Sequence, residues 1–281
     1  MSVYTVRRFI CTVLTYAIVL AAVAIAVFPL YWLVSTSLKY GVDALATPPI
    51  LIPTRLTLEN YRSAFGEQGM GRYLANSLIV SVASTVGSVL FGTLAAYALS
   101  KTYLAYGVRQ GMLAWVLLTR MFPPVTLLIP YYVIVRRVGL SDTHLGLILT
   151  YMAYGMPFAI WLMVGFFQEL PADIERAAVV DGCGLWQRFR LVVLPLTLPG
   201  LAVAAIFAFI GSWNEFIFAS MLTSNVAKTL PVVISGYIGD KFLRWGEMSA
   251  LGSAMVVPVL IVSLFTQRYL VRGLTFGAVK G

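Results

Sequence analysis

Two charged side chains fall inside long apolar runs of this chain: Arg120, in Arg120-Met-Phe-Pro-Pro124, and Glu215, in Gly211-Ser-Trp-Asn-Glu-Phe216. In a low-dielectric interior a carboxylate can accept from hydroxyl groups or carry a proton or ion, and a guanidinium can donate to several oxygens at once. Charges at that depth usually face a bundle interior or an aqueous path. Arg120, Trp213, Asn214 and Glu215 are therefore candidates for the lining of a transport pathway. Two plainer placements stay open, in which the charges snorkel to the outer interface or pair with each other.

Other chemistries lack their residues. No Gly-x-x-x-x-Gly-Lys-Ser/Thr stretch is present, so nucleotide chemistry has no motif here. The aspartates lie outside the apolar runs, which leaves no buried carboxylate pair for an aspartyl protease. The single histidine, His144, stands at the edge of an apolar run with no Cys or His at metal-ligand spacing. Metal binding and intramembrane catalysis are both disfavoured. Cys11 and Cys183 fall in different environments, so a structural disulfide is not expected. The net charge of +9 comes from basic residues scattered over every loop, without the patch that nucleic acid requires.

The elements that must hold these residues are membrane helices. Charged residues make up 11% and apolar residues 60% of the 281, and the mean hydropathy is +0.88; a spanning helix takes about 20 mostly apolar residues. Six spans are predicted, over residues 9–38, 73–100, 110–135, 145–167, 196–222 and 247–271. The first run is too long for the roughly 7–15-residue core of a signal peptide and reads as a retained helix. An even number of spans puts both termini on one side. Arg7 and Arg8 before the first span, and Arg268, Arg272 and Lys280 around the last, place that side in the cytoplasm. Small residues such as Ser77, Ser81, Ser84, Gly87, Ser88 and Gly92 suit the second span to close helix packing. In the third span Pro123, Pro124 and Pro130 predict local distortion.

Outside the membrane, the loops 39–72 and 223–246 are predicted to lie on the extracytoplasmic side, with a short helix starting near Thr57. Gly236, Tyr237 and Gly239 suit a loop that inserts into something, and equally an ordinary surface loop. Between the fourth and fifth runs lies the amphipathic segment Leu170-Pro-Ala-Asp-Ile-Glu-Arg-Ala-Ala-Val-Val-Asp-Gly-Cys-Gly184. Pro171 fits a first helical turn, Asp173 and Glu175 put negative charge at its positive end, and Gly182 follows as a stop. A short helix with a small face at Ala177 and Ala178, with Ile174 one turn before Ala178, is a shape that a groove on a soluble protein can grip. A second helical pattern over 185–194 makes a helix-turn-helix on the cytoplasmic face.

Glu175-Arg-Ala-Ala-Val-Val-Asp-Gly182, followed by Leu194-Pro195 and Pro199, resembles the Glu-Ala-Ala loop of the membrane permease subunits of binding-protein-dependent ABC importers. The likeness runs over almost the whole chain. Trp213-Asn-Glu-Phe216 and the ending Gly273-Leu-Thr-Phe-Gly-Ala-Val-Lys-Gly281 are similar to the carbohydrate-uptake branch, specifically the shorter permease of a maltose-type pair. The resemblance implies an all-α, six-helix permease of type I importer architecture in a bacterial inner membrane, one permease domain over 1–281 with its coupling region at 171–194. It implies a heterodimer with a second permease, two cytoplasmic ATPases that hold ATP and Mg, and an extracytoplasmic binding protein that delivers a mono- or oligosaccharide. The chain itself would bind no cofactor and would be no enzyme. By the same likeness Asp173, Ile174, Glu175, Arg176, Ala177, Ala178, Asp181 and Gly182 would contact or shape the ATPase contact. Phe276 and Lys280 would reach the ATPase from the C-terminus, and the loop with Gly236, Tyr237 and Gly239 would touch the binding protein. Arg176 departs from the pattern, standing where the family places a glutamate before the two alanines. Trp161 and Tyr154 join Trp213 and Asn214 as possible aromatic and polar contacts for a sugar. A glycerol phosphate or polyol is the second substrate class, and an ion-coupled secondary transporter is the rival from outside the family.

Overall fold

The computed structural model describes residues 3–101, 105–237 and 244–276. Most of those residues are helical, and none forms a strand. Four helices are long and apolar enough to cross a membrane: Arg7–Ser37, Gly71–Ser100, His144–Glu169 and Trp245–Gln267. Two further spans are possible if each bent helix pair counts as one. They are Tyr106–Met121 with Pro124–Arg137, bent by 96°, and Leu185–Leu196 with Leu198–Trp213, bent by 77°. The expected third span is thus bent sharply where its prolines predicted distortion, while the expected fifth span starts at the second bend and is carried by the helices Leu198–Trp213 and Ile217–Leu222.

The first break has a local cause. Phe122 and Pro123 each precede a proline, whose ring disfavours the helical conformation in the residue before it. Both are extended, with ψ of 126° and 137°, so the chain leaves α5 (Tyr106–Met121) and starts α6 (Pro124–Arg137) in a new direction.

The chain divides into two compact units, 1–70 with 236–257, and 71–235 with 258–281. In the first, the end of α1 (Val3–Ser37) is tied to the following loop. Tyr31 and Ser35 donate to the Leu51 carbonyl, and the Asn60 amide donates to the carbonyls of Ser37 and Lys39 at 2.9 and 2.8 Å. α2 (Gly41–Ala44) and α3 (Glu59–Tyr61), which runs on into a π-helical turn over Arg62–Glu67, complete that loop and bear out a short helix near Thr57.

The second unit is built on α4 (Gly71–Lys101) lying against α7 (His144–Glu169), the most extensive helix pairing in it. Without a hydrophobic drive between helices in lipid, close approach over small residues is what stabilises such a pair. A Cβ on Gly92 would lie 2.8 Å from the Ala159 Cβ, and one on Gly155 would lie 3.2 Å from the Ser88 hydroxyl. Asn76, Ser77, Ser81, Ser84 and Ser88 are buried, as the small-residue pattern of this span predicts. α11 (Leu198–Trp213) packs on both helices. Toward one end Tyr97, Met163, Phe167, Phe189, Val193 and Ala204 form the core; toward the other, Val80, Tyr151, Phe218 and Leu222 do. The amphipathic segment folds as α8 (Ala172–Val180), then a turn, then α9 (Leu185–Gln187), a π-helical stretch Arg188–Val193 and α10 (Leu194–Leu196).

Candidate functional site

Arg120 sits in the last turn of α5, where the chain is about to break. Its guanidinium donates to the Tyr154 carbonyl at 3.0 Å and lies over the Tyr154 ring at 4.6 Å and the Phe158 ring at 5.8 Å. Stacking on an aromatic face holds a guanidinium in place while leaving most of its donors unused. Glu215 follows the end of α11, and its two carboxylate oxygens accept from the backbone N–H groups of Phe218, at 2.8 Å, and Ala219, at 3.1 Å. Those donors open α12 (Ile217–Leu222), so Glu215 caps a helix N-terminus and complements its dipole.

Both residues line one cavity of about 80 Å³ with Tyr151, Tyr154, Gly155, Phe158, Phe207, Ala208, Gly211 and Ser212. Among the described residues they form no ion pair with each other. The lining of one cavity thus includes a guanidinium, a carboxylate and aromatic rings. The Ser84 hydroxyl donates to the Ser212 hydroxyl at 3.1 Å and joins α4 to the α11 wall.

The other two residues of the predicted pathway are elsewhere. Trp213 is fully buried and stacked on Phe209, and the Asn214 amide donates to the Ile210 carbonyl in the last turn of α11. Neither lines the cavity. Spacing along an apolar run cannot show which side of a helix end faces the cavity, and here Trp213 is buried against Phe209 while Glu215, just past the helix end, lines the cavity. Tyr154 does line the cavity; Trp161, one helical turn or more along α7, does not. Phe158, one turn beyond Tyr154 on α7, also lines the cavity and was not marked by the sequence reading; its i,i+4 spacing from Tyr154 is the signal that points to it.

In α8 only Glu175 and Ala178 are buried. Ile174, Ala177 and Val180 are exposed, and Arg176 pairs with Asp173 at 3.1 Å on the outer side, where both are largely solvated. Ala178 therefore packs inward, while Ala177 contributes to the outer face. The helix ends at Asp181, after which Gly182 adopts a φ of +80°, donating its N–H to Val179, and Cys183 donates to Ala178. This is the left-handed stop that glycine supplies without a steric cost.

Tyr237, placed in an inserting loop by sequence, is buried, and its hydroxyl donates to the Gln68 side chain. Gln68 donates in turn to Glu247 at 2.8 Å, which also accepts from Ser63 at 3.0 Å. Burial pushes the Tyr237 hydroxyl above its ordinary pKa, Glu247 adds to the effect and Arg244 opposes it. Gly236 closes α13 (Leu230–Gly236). Gly239, the side chain of Phe276 and Lys280 lie outside the described residues.

One residue that composition and spacing did not mark organises the loops of the second unit. Asp142, with a φ of +56°, accepts from the N–H groups of Ser224, Asn225, Val226 and Ala227 and from the Ser224 hydroxyl, at 2.9 to 3.1 Å. Burial alone would raise its pKa, but these donors outweigh it and hold the carboxyl well below the usual carboxylate range. His144 bonds Asn76 at 2.8 Å, and the Asn76 amide donates to the carbonyls of Val226 and Lys228. No group of three or more His, Cys, Asp or Glu is placed to hold a metal among the described residues.

The described residues thus make an all-α protein with helices fit to span a membrane, a bend in the third expected span, a cavity lined by a guanidinium and a carboxylate, and a short helix, α8, exposed on one side. Its fold matches, with a TM-score of 0.77 over 96% of this chain and 99% of the other at 23% identity, a chain in the crystal structure of a bacterial ABC transporter involved in the import of the acidic polysaccharide alginate. That architecture is the type I ABC importer permease. The chain belongs to the binding-protein-dependent transport system inner membrane component family, whose model matches residues 88–276. Among curated proteins it is 38% identical over 262 residues to the trehalose transport system permease protein SugB of Mycobacterium tuberculosis, covering 92% of this chain and 94% of that one. It is also 38% identical over 255 residues to the sulfoquinovosyl glycerol transport system permease protein SmoH of Agrobacterium fabrum, covering 90% and 89%.

Proposed function

We propose that this chain is one permease of a heterodimeric sugar importer, driven by two ATPase subunits that bind ATP and Mg on the cytoplasmic side and fed by an extracytoplasmic binding protein. The observation that carries the reading is α8. Its outer side exposes Ile174, Arg176, Ala177 and Val180 beside the Asp173–Arg176 pair, while its inner side packs on the chain's own core. A helix that is exposed on one side and anchored on the other can pass a partner's movement into the bundle. Both termini are assigned to the cytoplasm, with the loops 39–72 and 223–246 on the opposite side, where a binding protein docks.

In this reading Arg120 and Glu215 offer donors and acceptors to sugar hydroxyls, and Tyr154, Phe158 and Phe207 offer faces for the apolar sides of a sugar ring. Sugar-containing substrates in the names of the two curated relatives favour that substrate class over a glycerol phosphate or polyol. An ion-coupled transporter would leave the exposed side of α8 without a use.

Affinity purification of the tagged chain from gently solubilised membranes tests the assembly. Recovery of an ATPase and a second six-span permease is the expected result. Recovery of this chain alone, or as a homo-oligomer, would overturn it.

A further inference from the structure

Two acidic residues hold the short helix α12, one at each end. At its start Glu215, which lines the cavity, accepts from the N–H groups of Phe218 at 2.8 Å and Ala219 at 3.1 Å. At its end the Asp142 N–H donates to the Leu222 carbonyl at 2.9 Å, and the Asp142 carboxylate gathers the N–H groups of the turn that follows, Ser224 to Ala227. The Thr223 hydroxyl closes the helix by donating to the Ala219 carbonyl at 2.7 Å. Asp142 belongs to the connection between α6 and α7. The same stretch is also fixed to α4, where the Asn76 amide donates to the carbonyls of Val226 and Lys228 and the Ser77 hydroxyl accepts from the Leu230 N–H at 2.8 Å.

Phe218, fully buried, links α12 to both cavity charges. Its N–H serves Glu215, and its ring stands edge-on to Tyr154 of α7 and Tyr131 of α6, each at 5.4 Å. Tyr154 is the residue that carries the Arg120 guanidinium on its ring and on its carbonyl. A helix leaves its first four N–H groups and last four carbonyls without partners inside it, so one of six residues is nearly all ends. Its order then depends on what is supplied at those ends. Groups that bind a ligand must in turn be held to within about 0.5 Å by the residues behind them.

We infer that Asp142 is a positioning residue for the cavity: by fixing the far end of α12 it sets where Glu215 stands and, through Phe218 and Tyr154, where Arg120 stands. The inference rests on the proposal that the cavity lies on the path of the sugar. At 1.5 Å per residue the six residues of α12 put about 9 Å between the Asp142 clasp and the Glu215 cap, so Asp142 acts on the path without lining it. Loosening the clasp frees α12, and with it the anchors of both charges.

The test uses the complete purified transporter and reads amide hydrogen exchange in a peptide covering α12 and in one from the middle of α4. Asp142→Asn keeps the shape of the side chain and removes its charge. Exchange in α12 should rise about tenfold, the scale of hydrogen bonds to a charged group, with α4 unchanged. In proteoliposomes given sugar-loaded binding protein, uptake per assembled complex should fall about tenfold in the same variant. The double variant with Glu215→Gln should be no slower than the slower single one, since both release the same helix. Three results would each overturn the inference: faster exchange confined to the turn 224–227, an equal rise in α4, or losses that multiply in the double variant. Wild-type uptake in Asp142→Asn alongside slowed uptake in Glu215→Gln is equally fatal. Should Asp142→Asn assemble poorly, Ser224→Ala decides, because it removes one exposed bond to the carboxylate and should raise α12 exchange about threefold; no rise there sinks the idea. Failure of the pathway reading looks different. In that case Arg120→Lys and Glu215→Gln both transport at the wild-type rate, while α12 exchange still responds to Asp142→Asn.

Discussion

Arg120 is joined to Tyr154 twice, by a 3.0 Å hydrogen bond to its carbonyl and by a guanidinium lying 4.6 Å from the centre of its ring. The guanidinium is thereby fixed on the α7 wall of the cavity, while the Glu215 carboxylate is turned toward the opening turn of α12. Two opposite charges line one cavity without pairing with each other.

Replacing Arg120 with lysine retains the charge but loses the planar stacking and the fork of donors. Initial sugar uptake by Arg120→Lys is expected to fall about tenfold, on the order of the 1–2 kcal/mol of a partly desolvated cation–π contact. The amount of assembled complex in membranes should not change. Uptake at the wild-type rate would remove Arg120 from the pathway.

Glu215 has two separable roles. As a cap, its loss in Glu215→Ala should lower stability by about 1–2 kcal/mol, seen as a lower melting temperature of the detergent-purified complex. As a cavity carboxylate, its replacement in Glu215→Gln should reduce uptake by more than the amount of assembled protein falls. If uptake per assembled complex stays constant, the residue is a cap and nothing else.

The donors gathered around Asp142 make a pH-dependent clasp. Its folded carboxyl is held below the ordinary value, so its contribution to stability is complete above the unfolded pKa, about 4. That contribution fades as pH falls toward the folded value. Asp142→Asn should destabilise the protein by about 2 kcal/mol at neutral pH, after allowance for solvent screening of a partly exposed group. The difference from wild type should shrink in melting scans below about pH 4.

At Gly182 the positive φ, not crowding, sets the tolerance, since a Cβ there would meet nothing within 4 Å. Gly182→Ala should cost about 1 kcal/mol and leave partial transport. Gly182→Pro excludes that φ and removes the N–H bonded to Val179. It is expected to insert in the membrane yet lose coupling between ATP hydrolysis and uptake, and normal uptake would refute the role of the turn.

Crowding decides instead along the α4–α7 seam. Gly92→Val places branched bulk 2.8 Å from the Ala159 Cβ and 3.4 Å from backbone atoms of α7, so a loss of about 1–3 kcal/mol is expected. Gly165→Ala, where a Cβ would meet nothing within 4 Å, should be neutral or slightly stabilising by the same melting assay.

Composition and apolar run length by themselves determined an all-α polytopic membrane protein, because no other backbone arrangement satisfies that many apolar residues in lipid alongside these helical patterns. Pro171 and Gly182 marked the limits of α8 for equally local reasons, a fixed φ at its start and a left-handed stop at its end. What the residues could not show was direction. Whether Glu175 or Arg176 faces outward, whether Trp213 reaches the cavity, and whether Glu215 meets Arg120 or an N-terminus each depend on which side of a helix another helix covers. Likewise Asp142 reads as one more loop aspartate until the fold brings residues 224–227 around it. Local sequence sets where helices start, stop and break; only packing between distant segments sets which side chains are buried, which charges meet and which stay free for a ligand or a partner.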